Sequence, residues 1–206
     1  METKSFWEKI ADHYPNYNDP SLIADARKLL DFAREAGVVW EEERVIDIGC
    51  GSGAMALELA REAREVVALD TAQGMLAKLE AGIRATGARG IIPVLGSWDS
   101  FAPIQPSGSF KMGVASMTPA ISSHEGLSQM VRVCRHGIIA AWGSYRRNSF
   151  AEALFAKLGM VYDPPVNGIR RIELGLKKLG VVAAGPFYFE TAWERELDQV
   201  TALNEA

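Results

Sequence analysis

Short apolar runs alternate along the chain with stretches that carry apolar residues on one helical face. The runs predict buried parallel strands, because a strand covered on both faces is apolar throughout. Six are expected, at Arg44–Ile48, Glu65–Leu69, Ile91–Leu95, Phe110–Ser116, Gly137–Trp142 and Val181–Glu190. Pro93 lacks a backbone donor, so the third strand is expected at a sheet edge. The pattern predicts an α/β fold, a mostly parallel twisted sheet with helices on both faces.

Helical spacing fills the intervals between these strands. Apolar residues recur with that spacing from Leu22 to Ala33, and Gly37 is placed to end the helix. Another helix is expected from the glycine-rich segment after the first strand to about Arg64. Further helices are predicted around two groups of apolar positions, 72–83 and 169–179.

Two pairs of residues have the S-x-x-E spacing of a capping box, in which a serine and a glutamate each bond a free backbone N–H at a helix start. They are Ser122 with Glu125 and Ser149 with Glu152, so a helix is expected after each serine. Gly159 is placed to end the second of these helices.

The sixth predicted strand is bent near Gly185, and a sheet of this kind usually closes with one more strand. Three interpretations stay open. The chain is truncated, the last strand is missing, or a partner supplies it in a homodimer.

Composition narrows the class of protein. With 206 residues and 48% apolar content, the chain suits one compact domain. The net charge of −4 gives no sign of the basic face that holds a nucleic-acid backbone, so no nucleic-acid partner is expected. No apolar run is long enough to cross a membrane, and the N-terminus is polar. Two cysteines, Cys50 and Cys134, fit free thiols in a reducing compartment, which predicts a cytoplasmic protein.

The segment after the first strand carries Gly49, Gly51 and Gly53 and leads directly into a helix. Glycines here let the chain turn sharply and bring backbone N–H groups and a helix start close to a ligand. The G-x-G-x-G spacing differs from the G-x-G-x-x-G of dinucleotide sites. Asp47 precedes the first glycine, where its carboxylate would repel a pyrophosphate but attract an ammonium. S-adenosylmethionine (SAM) carries both an ammonium and a sulfonium.

Two more acidic residues follow strands. Asp70 ends the second strand, seventeen residues after Gly53, where an acid is placed to bond the ribose hydroxyls of an adenosine. After the third strand, Asp99 is a candidate acceptor for an adenine amino group, with Trp98 bordering the ring. Two structural alternatives stay open: Asp70 caps the next helix, and Asp99 forms an Asx turn.

Together these segments resemble the class I SAM-dependent methyltransferases of the small-molecule type, a Rossmann-like family. The likeness covers about residues 1–160. It is carried by four segments: DIGCGSG at 47–53, the acid of ALD at 70, GSWD at 96–99 and FKMGVASMTPAI at 110–121. The resemblance implies an enzyme that transfers a methyl group from SAM to a small molecule.

The resemblance also implies roles for single residues. The N-terminal segment is similar to a helix that folds over SAM, with a tyrosine that meets the SAM carboxylate. The cofactor-binding residues are then Tyr14, Asp47, Gly49, Cys50, Gly51, Gly53, Asp70, Thr71, Met75, Ser97, Trp98, Asp99 and Ser116.

The loop after the fourth strand is expected to shape the acceptor pocket with Met117, Thr118 and Pro119. The catalytic candidates are His13, as a base beside Tyr14, and Tyr17. The three histidines stand outside any metal-ligand spacing, so no metal is expected.

The chain is interpreted as one domain, 1–206. It comprises an N-terminal helical lid at 1–40, a SAM-binding core at 41–145 and a substrate-side part at 146–206. Lys111 departs from the family, whose members often carry aspartate there. This departure, with the poorly matched last third, keeps open a protein that binds SAM or its product S-adenosylhomocysteine (SAH) without turnover. A nicotinamide-dependent oxidoreductase conflicts with the glycine spacing and with Asp47.

Overall fold

One sheet of five parallel strands lies at the centre of the described part of the chain. The computed structural model describes residues 2–141, 148–162 and 168–185. The strands within them are β1 Arg44–Ile48, β2 Glu65–Asp70, β3 Ile91–Leu95, β4 Phe110–Ser116 and β5 Cys134–Ala140. Their order in the sheet is β3-β2-β1-β4-β5, which puts β3 at an edge as predicted from Pro93. This confirms the predicted Rossmann-like α/β fold.

Helices cover both faces of the sheet because neighbouring strand residues point to opposite faces. Val45 packs in a cluster with Leu29 and Met55 on one face, whereas Ile46 packs in a cluster with Leu127 and Ile172 on the other. The α-helices are α1 Glu2–Ile10, α2 Pro20–Glu35, α3 Ala54–Leu59, α4 Gln73–Thr86, α5 Trp98–Phe101, α6 His124–Val133, α7 Ser149–Lys157 and α8 Gly168–Lys178. Short 3-10 turns lie at Ala11–His13, Ala102–Ile104 and Pro119–Ile121. None of the helices in the described residues is long and apolar enough to cross a bilayer.

Strand register brings the predicted site segments to one edge. Ile48 pairs with Leu69, Asp70 with Leu95, and Ser116 with Ala140. Because all five strands are parallel, the segments that follow them leave the sheet on the same side.

The helix after the glycine turn is shorter than predicted. It ends at Leu59 and not near Arg64, although the apolar periodicity continues. The backbone N–H of Glu42 bonds the carbonyl of Glu62, and the N–H of Arg64 bonds that of Glu43. These bonds fold the last residues into a turn that lets β2 begin in register with β1.

Both predicted capping boxes are displaced by one residue. The N-cap of α6 is Ser123, which accepts from the N–H of Gly126, and the N-cap of α7 is Asn148, which accepts from that of Ala151. Serine and asparagine are equally good N-caps, so either of two neighbouring polar residues can occupy the cap position. The geometry of the connection before the helix determines which one does. Gly159 follows α7 with φ +69°, as predicted.

Two predicted strand bounds are wrong within the described residues. The fifth strand begins at Cys134 and not at Gly137. Residues 181–185 form no strand, because the N–H of Val181 bonds the carbonyl of Leu176 and so completes the end of α8 around Gly180. Trp142 and residues 186–190 of the predicted strands lie outside the described residues.

Candidate active site

A cavity of about 560 Å³ opens where β3, β2, β1 and β4 end. This volume lies within the range of small-molecule sites, and the place is where open α/β sheets bind ligands. Its lining residues are Trp7, Tyr14, Ile48, Gly49, Gly51, Leu69, Asp70, Thr71, Met75, Gly96, Ser97, Trp98, Asp99, Ser116, Met117, Thr118, Pro119, Ala120, Ser122 and Ser123.

The glycine turn after β1 forms the floor of the cavity. Gly49, Gly51 and Gly53 have φ values of +74°, +54° and +95°, a region that side chains other than glycine rarely adopt. A Cβ at Gly49 would overlap the hydroxyl of Thr118, and a Cβ at Gly53 would overlap Leu79. The turn therefore needs glycine for its dihedrals and for its close packing.

Asp70 ties the glycine turn to α4. Its Oδ2 accepts from the backbone N–H of Gly51 and its Oδ1 from that of Ala72, each at 2.9 Å. The bond to Ala72 agrees with the alternative that Asp70 caps the next helix. The bond to Gly51 and the position of Asp70 on the cavity wall agree with its predicted role in binding a ligand. One nearly buried carboxylate thus takes part in both arrangements.

Asp47 lies beneath the turn and not on the cavity wall. Its side chain is buried, and Oδ2 has no hydrogen-bond partner among the described residues. Burial first, and then the charge of Asp70, raise the pKa of Asp47 to about 7, while the backbone N–H of Ala56 opposes the shift. A cation bound near this edge would favour the ionised form.

The segment after β3 contributes Ser97, Trp98 and Asp99. Ser97 is the N-cap of α5, so a serine cap begins this helix and not the Asx turn that was the structural alternative for Asp99. The Trp98 indole is buried, and its N–H donates to the carbonyl of Gly126 at 2.8 Å. Trp98 therefore fixes this wall segment by packing its indole in the core, whereas Asp99 is exposed at the cavity.

The loop after β4 forms the opposite wall. Met117 has φ +54°, an uncommon conformation for a side chain of its size, and its N–H bonds the carbonyl of Ala140. Thr118 packs on Gly49, and its hydroxyl accepts from the N–H of Ala120 at 3.3 Å. Ser116, Met117, Thr118 and Pro119 all line the cavity.

Two aromatic residues of the N-terminal segment, Tyr14 and Trp7, line the side of the cavity near the glycine turn. A Cβ on Gly51 would lie 3.7 Å from Cε1 of Tyr14. Burial, followed by the charges of Asp70, Asp19 and Asp47, raises the pKa of the Tyr14 phenol. Trp7 lies beside Tyr14, with ring centroids 6.3 Å apart at 80°.

Besides Asp47, four predicted site residues lie off the cavity wall. Cys50 is buried behind the turn, where burial and then Asp47 and Asp70 raise its pKa far above the ordinary thiol value. Gly53 begins α3 against Leu79. His13 is exposed at the end of its 3-10 turn, and Tyr17 packs on Gly82 of α4. The structure thus brings neither catalytic candidate to the cavity.

Lys111 lies at the beginning of β4, at the opposite end from Ser116. It is not among the lining residues, so its departure from the family pattern does not alter the described walls.

Several wall residues were not predicted. Trp7 belongs to the same aromatic N-terminal segment as Tyr14, which was a signal that an aromatic neighbour could share its role. Ile48 and Leu69 directly precede the predicted site residues Gly49 and Asp70, so their positions near strand ends indicated the same edge of the sheet. Ser122 and Ser123 were interpreted only through their capping spacing.

The core of the chain matches a known family and known folds. Residues 45–137 match the model of a methyltransferase domain, from β1 into β5. A SAM-dependent methyltransferase from Aquifex aeolicus superposes with a TM-score of 0.60 at 19% identity, covering 86% of this chain and 87% of that one. Phosphoethanolamine N-methyltransferase 1 of Haemonchus contortus, solved with phosphoethanolamine and SAH, gives 0.53 at 21% identity, covering 80% and 36%. At these identities the two structures establish the fold.

A short stretch also resembles curated RNA-modifying enzymes. The 23S rRNA (uracil(1939)-C(5))-methyltransferase RlmD of Pseudomonas entomophila is 56% identical over 39 residues, which are 19% of this chain and 9% of that protein. The match spans less than a tenth of that relative's length. The match to the methyltransferase-domain family runs through every strand end that lines the cavity and agrees with the fold shared with a SAM-dependent methyltransferase.

Proposed function

We propose that this chain transfers the methyl group of SAM to a small-molecule acceptor bound beside Met117, Thr118 and Pro119. The observation that carries the proposal is the charge of the cavity wall. Asp70 and Asp99 are its charged members within the described residues, and buried Asp47 adds a third carboxylate nearby. Such a wall suits a cofactor that carries a sulfonium and an ammonium.

The length of the cavity also suits SAM. Neighbouring strands lie about 4.8 Å apart, so the ends of four strands span roughly 14 Å. An elongated ligand across them would meet Ser97, Trp98 and Asp99 with its adenine and Asp70 with its ribose. Thr71 and Met75 would border the nucleoside. The amino-acid half would then lie at Gly49, Gly51 and Tyr14, with Ser116 beside it.

The other three residues assigned to cofactor binding, Asp47, Cys50 and Gly53, lie behind the cavity wall. Asp47 would stabilise the ligand ammonium through the turn, because charges interact strongly where water is excluded. Cys50 and Gly53 would shape the turn through their backbone. A pyrophosphate in the same place would face the Asp47 and Asp70 carboxylates, which disfavours a dinucleotide.

SAM supplies an electrophilic methyl group, so the protein has to align an acceptor atom and exclude water. The Met117–Pro119 loop is suited to align the acceptor, because it lies at the β4 end of the cavity, next to the glycine turn. The aromatic pair of Trp7 and Tyr14 is suited to exclude water from the opposite side. His13 and Tyr17 lie away from this wall, so we assign neither of them the removal of a proton.

The same wall favours a small acceptor over RNA. No lysine, arginine or histidine lines the cavity in the part of the chain that the structure describes. RNA contacts depend on cationic side chains that neutralise phosphates, and the net charge of the chain is −4. The similarity to RlmD covers only 39 residues, so it does not support an RNA-binding surface in this chain.

Two measurements test the proposal. In calorimetric titrations we expect SAH to bind with micromolar affinity or better, and NADH to give no signal. Radiolabelled SAM is then incubated with a fraction of cellular small molecules and, separately, with total RNA. Label in the small-molecule fraction alone supports the proposal, whereas label in RNA contradicts the acceptor class. SAH binding without label in either fraction would favour the non-enzymatic alternative.

A further inference from the structure

Trp7 lies on the cavity wall although it precedes the first strand by almost forty residues. Its indole packs with Tyr14 against a small apolar cluster formed by Ala11, Ala72 and Met75. Ala72 and Met75 belong to the start of α4, just after Asp70. The ring is therefore attached to the wall that begins at the end of β2.

Three contacts seat the N-terminal segment on α4. The carboxylate of Glu8 accepts from the backbone N–H of Gly74 at 3.2 Å, at the helix end where negative charge is favoured. A Cβ on Gly74 would lie 2.7 Å from Cβ of Ala11, so glycine permits the close approach of the two segments. The ammonium of Lys78 donates to the carbonyl of Tyr14 at 2.5 Å.

This seat places the two aromatic side chains at neighbouring strand ends. Tyr14 lies against Gly51, after β1. Trp7, like Tyr14, packs on the cluster that holds Ala72 and Met75, after β2, and it contacts the rings of Phe6 and Tyr14. In the ligand orientation proposed above, the first position corresponds to the amino-acid half and the second to the nucleoside.

We propose that Trp7 is a cofactor-binding residue that covers the nucleoside half of the ligand, while Tyr14 covers the amino-acid half. The inference rests on the proposed function. An indole offers a large apolar face with little conformational entropy to lose, and such faces bind nucleobases through stacking. Trp7 thus contributes to selection of the adenosine group in addition to closing the cavity.

Calorimetry with two probes, SAH and adenosine, tests the assignment. We expect Trp7→Ala to weaken both ligands by the same factor, about tenfold for a lost aromatic contact to a base. Tyr14→Ala should weaken SAH and leave adenosine unchanged. Phe150→Ala is the control, because Phe150 is an exposed aromatic residue on α7 and does not line the cavity. It should bind both probes as the wild type does.

Gly74→Ala tests the same placement without removing an aromatic ring. Alanine is the better helix former, so the variant should fold, while its methyl group displaces Ala11 and the attached segment. We expect it to weaken adenosine as Trp7→Ala does, and Trp7→Phe to fall between the wild type and Trp7→Ala. Wild-type adenosine affinity in Trp7→Ala would overturn the inference, whatever happens to SAH. A wild-type protein that binds neither probe would instead contradict the proposed function.

Discussion

Oδ2 of Asp70 accepts a 2.9 Å hydrogen bond from the backbone N–H of Gly51, nineteen residues earlier in the chain. Its second oxygen accepts from Ala72 at the same distance. A single carboxylate therefore holds the glycine turn after β1 against the start of α4, and the cavity lies between these segments. Its structural role and its proposed binding role are therefore inseparable at this position.

Replacing Asp70 by alanine should reduce both stability and ligand affinity. The change leaves two backbone N–H groups without a partner, and hydrogen bonds to a charged group contribute about 1.5–3 kcal/mol each. We expect the free energy of unfolding in urea to fall by about 3–6 kcal/mol, and the affinity for SAH to fall at least tenfold. Asp99→Asn is the control, since Asp99 lines the same cavity but is exposed. Equal effects of the two substitutions would contradict the prediction.

The sequence predicted those parts of the cavity wall that lie at strand ends. Asp70, a wall residue, stands out because it is an acid that ends a buried strand, although the same position also lets it cap the next helix through Ala72. Trp7 was missed because its helix precedes the sheet, and only tertiary packing on Gly74 brings it to the cavity. Trp98 was placed correctly along the chain, yet the sequence does not reveal that its indole N–H turns into the core toward Gly126.

Binding of SAH should strengthen as the pH rises through 7. The pKa of Asp47 in the free protein is about 7, and the ligand ammonium favours the ionised form. Below this pH the ligand must displace a proton, so affinity is lower and binding releases a fraction of a proton. Calorimetry between pH 6 and 8 in buffers of different ionisation enthalpy measures both effects. Asp47→Asn should show neither, and a flat wild-type profile would exclude Asp47 from binding.

The same residue should make the wild type less stable as the pH rises from about 4 to about 7. The folded state keeps the Asp47 proton throughout this range, because the pKa is raised, while the unfolded state loses it near 3.8. Between pH 5 and 8 the wild type should lose up to about 3 kcal/mol of unfolding free energy relative to Asp47→Asn. Urea unfolding at both pH values gives the difference. Parallel curves for the two proteins would show that burial does not raise this pKa.

Gly49→Ala should be more harmful than Gly87→Ala, although both residues have similar positive φ values, +74° and +68°. Alanine in this conformation costs about 1–2 kcal/mol at either position. A Cβ at Gly87 meets no atom within 4 Å, whereas one at Gly49 overlaps Thr118. We expect Gly49→Ala to lose a further 1–3 kcal/mol or so, as overpacked sites do, together with SAH binding. Equal losses of stability would mean that the Thr118 loop moves freely away from the turn.

Trp98→Phe should lower stability while leaving the affinity of the folded protein for SAH within about threefold. The substitution removes a buried N–H donor to the carbonyl of Gly126 and part of a ring that packs in the core, which costs about 1–3 kcal/mol. The group removed points away from the cavity, so the ligand loses no partner. Trp7→Phe should instead lower the affinity for SAH and leave stability nearly unchanged, because the Trp7 indole is half-buried on the cavity wall and contributes little to core packing. Measuring unfolding and SAH titration for both variants separates the two tryptophans. A Trp98→Phe protein that keeps its stability but no longer binds SAH would contradict this prediction and show that the Trp98 indole N–H serves ligand binding.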